Sequence, residues 1–189
     1  MAVKIFIDQG HNPTGFPNTG AQANNLFEQD ITYNVGKYLE SMLEIDPRFE
    51  VKVSRATENT VLGNDNSSSL QARVSEANLW KADYFLSIHV NANINPNVNG
   101  TECYIYSDAS KSYYLAISIL NSIVSEMGTK NNGVISRPSL YVLRKTTMPS
   151  ILIELAYITN YADSIKLRDD QYEFASSIYK GMLDYFKFN

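Results

Sequence analysis

The sequence predicts an α/β fold, parallel strands covered on both faces by helices, and three observations carry the prediction. Tyr84-Phe85-Leu86-Ser87-Ile88-His89-Val90 is a nearly continuous apolar run, the pattern of a strand buried on both faces. Two further runs have the same form, Val3-Lys4-Ile5-Phe6-Ile7 and Ser150-Ile151-Leu152-Ile153. Segments with helical spacing alternate with these strand-like ones along the chain. In open α/β sheets ligands bind just outside the carboxyl ends of the strands. The three runs lead into His11, His89 and Glu154, so the fold class points these residues at one location.

Taken in order, the first strand gives way to Gly10-His11-Asn12-Pro13-Thr14-Gly15-Phe16-Pro17-Asn18-Thr19-Gly20, whose turn formers mark a surface loop. It lacks the Gly-Lys-Ser/Thr ending of a P-loop and the spacing of a dinucleotide fingerprint, which counts against phosphate binding. Phe27, Ile31, Val35, Leu39 and Met42 then recur at helical spacing, with Glu28 in the first turn. Glu28 follows Asn25 by three residues, as in a capping box, and spacing alone favours that capping role. Residues 49–54 alternate like a half-buried strand. Residues 63–69 read as a polar loop ending in an N-cap, before a helix that carries Leu70, Val74 and Ala77 inward. Residues 100–106 form another alternating strand, with Thr101, Cys103 and Ile105 on one face and Glu102, Tyr104 and Tyr106 on the other. A helix is predicted from about Ala109 to Met127, striped by Ala116, Ile119, Leu120 and Ile123 and stopped by Gly128. Leu140-Tyr141-Val142-Leu143 reads as a short strand. A last helix, from about Asp170 to Phe186, buries Phe174, Ile178, Met182 and Tyr185.

Composition narrows the function classes. A chain of 189 residues, 44% hydrophobic and 19% charged, suits one globular domain over residues 1–189, with no linker or repeat to divide it. Its net charge of −4 counts against a nucleic-acid surface, which needs clustered Lys and Arg. No apolar run approaches the length that spans a bilayer, so no membrane segment is expected. No signal-peptide pattern precedes Val3 either, so export would need another route or a trimmed chain. Cys103 is the only cysteine, which excludes internal disulfides and cysteine-rich zinc sites and leaves it as core packing. Any metal here would be held by His and carboxylate.

A lone His after a strand is more often a structural hydrogen-bonding residue than a ligand. Here both histidines of the chain stand at strand carboxyl ends, which favours a shared purpose. A catalytic zinc site uses three protein ligands and keeps a position for water, and two His with one Glu is an accepted set. The reading requires the strands to be neighbours.

Four stretches then match a known family in order: Ile7-Asp8-Gln9-Gly10-His11, Glu28-Gln29-Asp30-Ile31, Ser87-Ile88-His89-Val90-Asn91-Ala92 and Ile153-Glu154-Leu155-Ala156-Tyr157-Ile158-Thr159-Asn160. They resemble the motifs of the zinc-dependent N-acetylmuramoyl-L-alanine amidases of the amidase 3 family. The likeness extends to Val53-Ser54-Arg55, to the helix with Arg73 and Asn78, to Gly100-Thr101-Glu102 and to Leu143-Arg144 before Met148-Pro149. The resemblance implies a three-layer α/β fold with a mostly parallel sheet of about six strands. It implies Zn2+ bound by His11, Glu28 and His89, which reverses the capping preference for Glu28, and Glu154 as the catalytic carboxylate. The implied substrate is peptidoglycan, cut at the amide between N-acetylmuramic acid and L-alanine by a zinc-activated water whose proton Glu154 moves. The implied place of action is the bacterial cell wall, as a phage endolysin or a lytic enzyme working from within a mother cell. Two departures stand out: Asn12-Pro13 where the family usually has Gly-Gly, and Ala156-Tyr157 where it usually has Gly-Phe. Neither touches an implied ligand; both bear on loop shape and substrate fit. Two rivals are a binding module that keeps the fold without cleaving, and a zinc hydrolase cutting within the stem peptide.

Overall fold

A computed structural model describes residues 2–108 and 111–188, so the predicted helix start at Ala109 lies outside the described residues. The first half of the chain forms β1 (Val3–Gln9), two short strands β2 (Gln22–Ala23) and β3 (Leu26–Phe27), α1 (Glu28–Glu44), β4 (Phe49–Val53), α2 (Asn66–Trp80) and β5 (Tyr84–Asn91). The second half forms β6 (Thr101–Ile105), α3 (Lys111–Met127), β7 (Asn131–Ser136), α4 (Tyr141–Lys145), β8 (Ser150–Tyr157), α5 (Tyr161–Asp169) and α6 (Gln171–Phe186). Six of the strands make one sheet in the order β4-β1-β5-β8-β6-β7. The sheet is mostly parallel: β6 pairs antiparallel with β8, and the other four pairings are parallel. The three predicted apolar strands are therefore β1, β5 and β8, side by side at the centre, which meets the condition that they be neighbours.

Alternation along these strands builds a three-layer molecule. Ile5, Ile7, Leu86, Ile88, Ile151 and Ile153 face one side, packed with Val35 and Leu39 of α1, Ile119 and Ile123 of α3, and Phe174 and Ile178 of α6. Each such side chain, fully buried, contributes about 1.5–3 kcal/mol. Phe6, Phe85 and Leu152 face the other side, against Val74 and Ala77 of α2 and Val142 and Leu143 of α4. That second face also receives Asp8, Ser87 and Glu154, each two residues beyond Phe6, Phe85 or Leu152 on its strand, and His89, two residues beyond Ser87. The apolar end of this face is covered by helices, and its carboxyl end carries the polar groups.

Four local readings are corrected. Leu140–Leu143 is not a strand: residues from Tyr141 form the short helix α4, and a four-residue apolar run cannot distinguish the two by periodicity. The loop before α2 ends earlier than its polar composition suggests, since Asp65 is the N-cap and Ser68 closes a capping box with it. Asn25 caps nothing. It has φ 60° and Asn24 φ 51°, the two central residues of the β2–β3 hairpin, and α1 starts at Glu28 with Phe27 in the cap position. Finally, β7 and α5 have no counterpart in the sequence reading. β7 is an edge strand, Asn131-Asn132-Gly133-Val134-Ile135-Ser136, too polar and glycine-broken to show strand alternation. α5 is short and has no clear apolar stripe.

Candidate metal centre

His11, Glu28 and His89 come together although 78 positions separate the first from the last. One ligand atom from each lies within 4.8 Å of the others. Glu28 Oε1 is 3.0 Å from His11 Nε2 and 3.0 Å from His89 Nδ1, and the imidazole rings stand edge to face at 4.8 Å. The side chains of His11 and His89 keep 19% and 18% of their exposure and that of Glu28 only 5%, so the cluster opens to solvent on the imidazole side.

Each group is held by its element. His89 sits at the end of the buried strand β5, and its ring packs on Gly10: a Cβ there would lie 2.6 Å from His89 Cε1. Gly20 leaves the same kind of room for Glu28, whose Oε2 would be 2.6 Å from a Cβ at that position. Glu28 opens α1, where carboxylates are favoured by the exposed N–H groups of the first turn. It uses none of them. Its Oε2 accepts from the Ala21 N–H and its Oε1 from the Val90 N–H. Burial pulls the Glu28 pKa up, but hydrogen bonds from His11 and His89, with their charge, outweigh it and hold the carboxyl well below its ordinary range. His11 has φ 69°, and its Nδ1 faces the Asn18 carbonyl at 3.1 Å, which leaves Nε2 turned to Glu28. Asn12, in place of the usual glycine, donates to the carbonyls of Pro17 and Leu62 and accepts from the Leu62 N–H, tying the loop down.

Glu154 stands on the next strand. In the sheet register it is the neighbour of His89 on one side and of Glu102 on the other. Its Oε2 is shut off from solvent and has no hydrogen-bond partner. Burial raises its pKa well above the ordinary carboxylate range, and the charges of Glu28 and Glu102 add to the rise. Glu102 is 6% exposed and its Oε1 is well supplied, accepting from Asn91 Nδ2, the Tyr104 hydroxyl at 2.7 Å and the Tyr157 hydroxyl at 3.0 Å. Burial and Glu102 together push the Tyr157 hydroxyl up to about 12, so it stays a donor.

Residues 5–184 match the family model described as N-acetylmuramoyl-L-alanine amidase. The chain belongs to that family. Its relatives include the N-acetylmuramoyl-L-alanine amidase LytC of Bacillus subtilis (strain 168), 36% identical over 187 residues that make up 97% of this chain and 35% of LytC. The endolysin of Bacillus phage SPP1 is 32% identical over 91% of this chain and 61% of its own. The chain thus spans about a third of LytC and under two thirds of the endolysin. Among solved structures, the N-acetylmuramoyl-L-alanine amidase AmiC2 of Nostoc punctiforme superposes with a TM-score of 0.84 at 33% identity, covering 98% of this chain and 97% of that one.

Within this amidase-family fold, all four residues singled out in the sequence gather at the carboxyl ends of the central strands, His89 and Glu154 from β5 and β8, His11 from the loop after β1 and Glu28 from the start of α1. Three of them, His11, Glu28 and His89, form a donor set fit for a metal: two imidazole nitrogens and a carboxylate oxygen, with Gly10 and Gly20 leaving them space. Glu154 stands beside the trio without entering it. Glu102 and Arg73 belong to the family likeness, but nothing in the sequence assigns either a role. The alternation of residues 100–106, with Glu102 opposite the buried Cys103 face, was the available signal for Glu102. None marked Asn91 or Tyr157 as its partners.

Proposed function

We propose that this chain hydrolyses the amide between N-acetylmuramic acid and L-alanine in peptidoglycan, acting at the bacterial cell wall as a one-domain catalytic unit. His11, Glu28 and His89 would hold a zinc ion, and Glu154 would serve as general base and then general acid. The observation that carries the reading is the pairing of a three-donor cluster with an unpartnered carboxylate oxygen on the adjoining strand. A purely structural Glu154 would be expected to spend that oxygen on a loop or an arginine. When bound, zinc supplies Lewis acidity, bringing the pKa of water from about 16 to about 7 and polarising a carbonyl.

The chain's own residues do the rest. Glu154 accepts a proton from the attacking water, whose oxygen bonds to the lactyl carbonyl carbon. The C–N bond then breaks, and Glu154 returns the proton to the departing nitrogen. The products are a lactyl carboxylate and the free amine of L-alanine. The upward shift of the Glu154 pKa, caused by burial and the charges of Glu28 and Glu102, strengthens its carboxylate as a proton acceptor. Glu102, anchored by Asn91, Tyr104 and Tyr157, walls the far side of Glu154 from the metal cluster.

Digestion of purified peptidoglycan with mass analysis of the products tests the reading. Free N-terminal L-alanine without new reducing sugar ends is the expected result; cut stem peptides or new reducing ends would reject it. Two variants separate binding from catalysis. Glu154→Gln should keep its zinc and lose about 10²–10⁴ in rate, while His11→Ala should lose zinc and activity together. Zinc loss in Glu154→Gln would make Glu154 a ligand, and near-normal activity would require another base.

A further inference from the structure

The least expected group near the cluster is a guanidinium behind it. Arg73 of α2 is 1% exposed and, with Arg55, is among the largest fully buried side chains of the described residues. Its charge is met by Asp8 of β1, with Nη1 at 2.6 Å from Oδ1, and Asp8 Oδ2 accepts from Ser87 Oγ of β5. Both terminal nitrogens also reach backbone, with longer 3.4 Å contacts to Ser54 Oγ and Asn12 Oδ1, while Nε has no hydrogen-bond partner among the described residues. Nη1 donates to the Gln9 carbonyl at 2.6 Å, and Nη2 donates to the carbonyl of His11 itself. An ion pair alone would not require those two bonds, and a lysine, a point charge on a flexible stem, lacks the planar fork that fixes Asp8, Gln9 and His11 at once on two separate nitrogens.

The carbonyl that Arg73 grips belongs to a strained residue. A non-glycine at φ 69° stands in the left-handed region, which costs about 1–2 kcal/mol and persists only where the surroundings enforce it. In that conformation His11 Nδ1 meets the Asn18 carbonyl and Nε2 meets Glu28. Arg73 touches neither ring nitrogen, and the route to the imidazole runs through the peptide it holds. We infer that Arg73, with Asp8 as its counter-ion, is a positioning residue that sets metal affinity by locking the His11 backbone in its left-handed conformation. The inference rests on the reading of His11 as a metal ligand.

Zinc dissociation constants of the metal-free protein, measured by competition with a chromophoric chelator, test it without reference to catalysis. Arg73→Lys keeps the charge and drops the fork, and it should bind zinc about 10–100-fold more weakly while the far-UV circular dichroism stays native. The double variant Asp8→Asn/Arg73→Gln removes both charges together, so no buried carboxylate is left alone, and it should weaken zinc to a similar extent. It decides the matter if the lysine variant fails to fold. Ile119→Val, in the core on the opposite face, controls for general loss of stability and should leave zinc affinity unchanged. Wild-type affinity in the Arg73 variants, with His11→Ala losing zinc, would overturn the positioning role and leave the metal site standing. Unchanged affinity in His11→Ala would overturn the metal reading, and the role of Arg73 with it.

Discussion

Glu154 is where the site costs the fold stability. A carboxyl whose native pKa is raised leaves the folded state at full strength below the unfolded pKa, about 4.3, and weakens it as pH rises toward the native value. Glu154→Gln abolishes that loss because it carries no charge at any pH. In metal-free protein the Gln variant should therefore melt higher than wild type at pH 7, with the gap closing by about pH 4. Melting curves across that range check it, and a gap independent of pH would show that packing, not charge, sets the difference. Asp8 behaves in the opposite sense. Burial raises its pKa, but the charge and hydrogen bond of Arg73 outweigh it and hold the carboxyl below its ordinary value. Its contribution is present above the unfolded pKa and is lost on acidification.

At the scale of elements, the scaffold depends on how closely α3 and α6 approach. Gly181 makes that possible: a Cβ there would lie 2.6 Å from Ile119 Cα and 3.0 Å from the Ser118 carbonyl oxygen, both backbone atoms that cannot swing aside. Ser118 Oγ seals the crossing by donating to the Gly181 carbonyl at 2.8 Å. Gly181→Val should destabilise by about 1–3 kcal/mol, the usual range for overpacking. For a domain of this size that lowers Tm by roughly 2–4 °C per kcal/mol. Calorimetry of the variant tests the contact, and an unchanged Tm would mean that the helices can part without penalty. Zinc binding should be unaffected, because the crossing lies on the sheet face away from the cluster.

Across the whole molecule, the three proposed metal donors, His11, Glu28 and His89, are already gathered by a hydrogen-bonded loop, a helix start and a central strand, so zinc would bind a largely preformed site. Its removal should then lower Tm without removing secondary structure. The stabilisation follows mass action, about 2.7 kcal/mol when free zinc stands at a hundred times its dissociation constant. Thermal melts with chelator, and again with zinc restored, check this. Loss of the helical circular dichroism signal on chelation would instead show that the fold itself depends on the metal. No helix among the described residues is long and apolar enough to cross a membrane.

The sequence by itself determined the fold class, the strands β1, β5 and β8, and the placing of His11, His89 and Glu154 at their ends, while Glu28 joined them only through the family resemblance. Those features rest on apolar burial and chain order, and both are written locally: a strand covered on two faces has to be continuous in Ile, Leu, Val and Phe. It determined less wherever a segment's conformation was settled by what lies against it. Asn25-to-Glu28 spacing suited a capping box until the hairpin claimed Asn24 and Asn25 and left Glu28 free to face the histidines. Leu140-Tyr141-Val142-Leu143 carried enough apolar surface for a strand or a helix, and packing against α2 and β8 selected the helix. Only the tertiary structure decided that β6 runs against β8, which sets Glu102 beside Glu154, and that Arg73 reaches the His11 carbonyl from 62 residues away. Such contacts leave no periodicity along the chain, because they depend on distance in space, where strand register and helix placement act together.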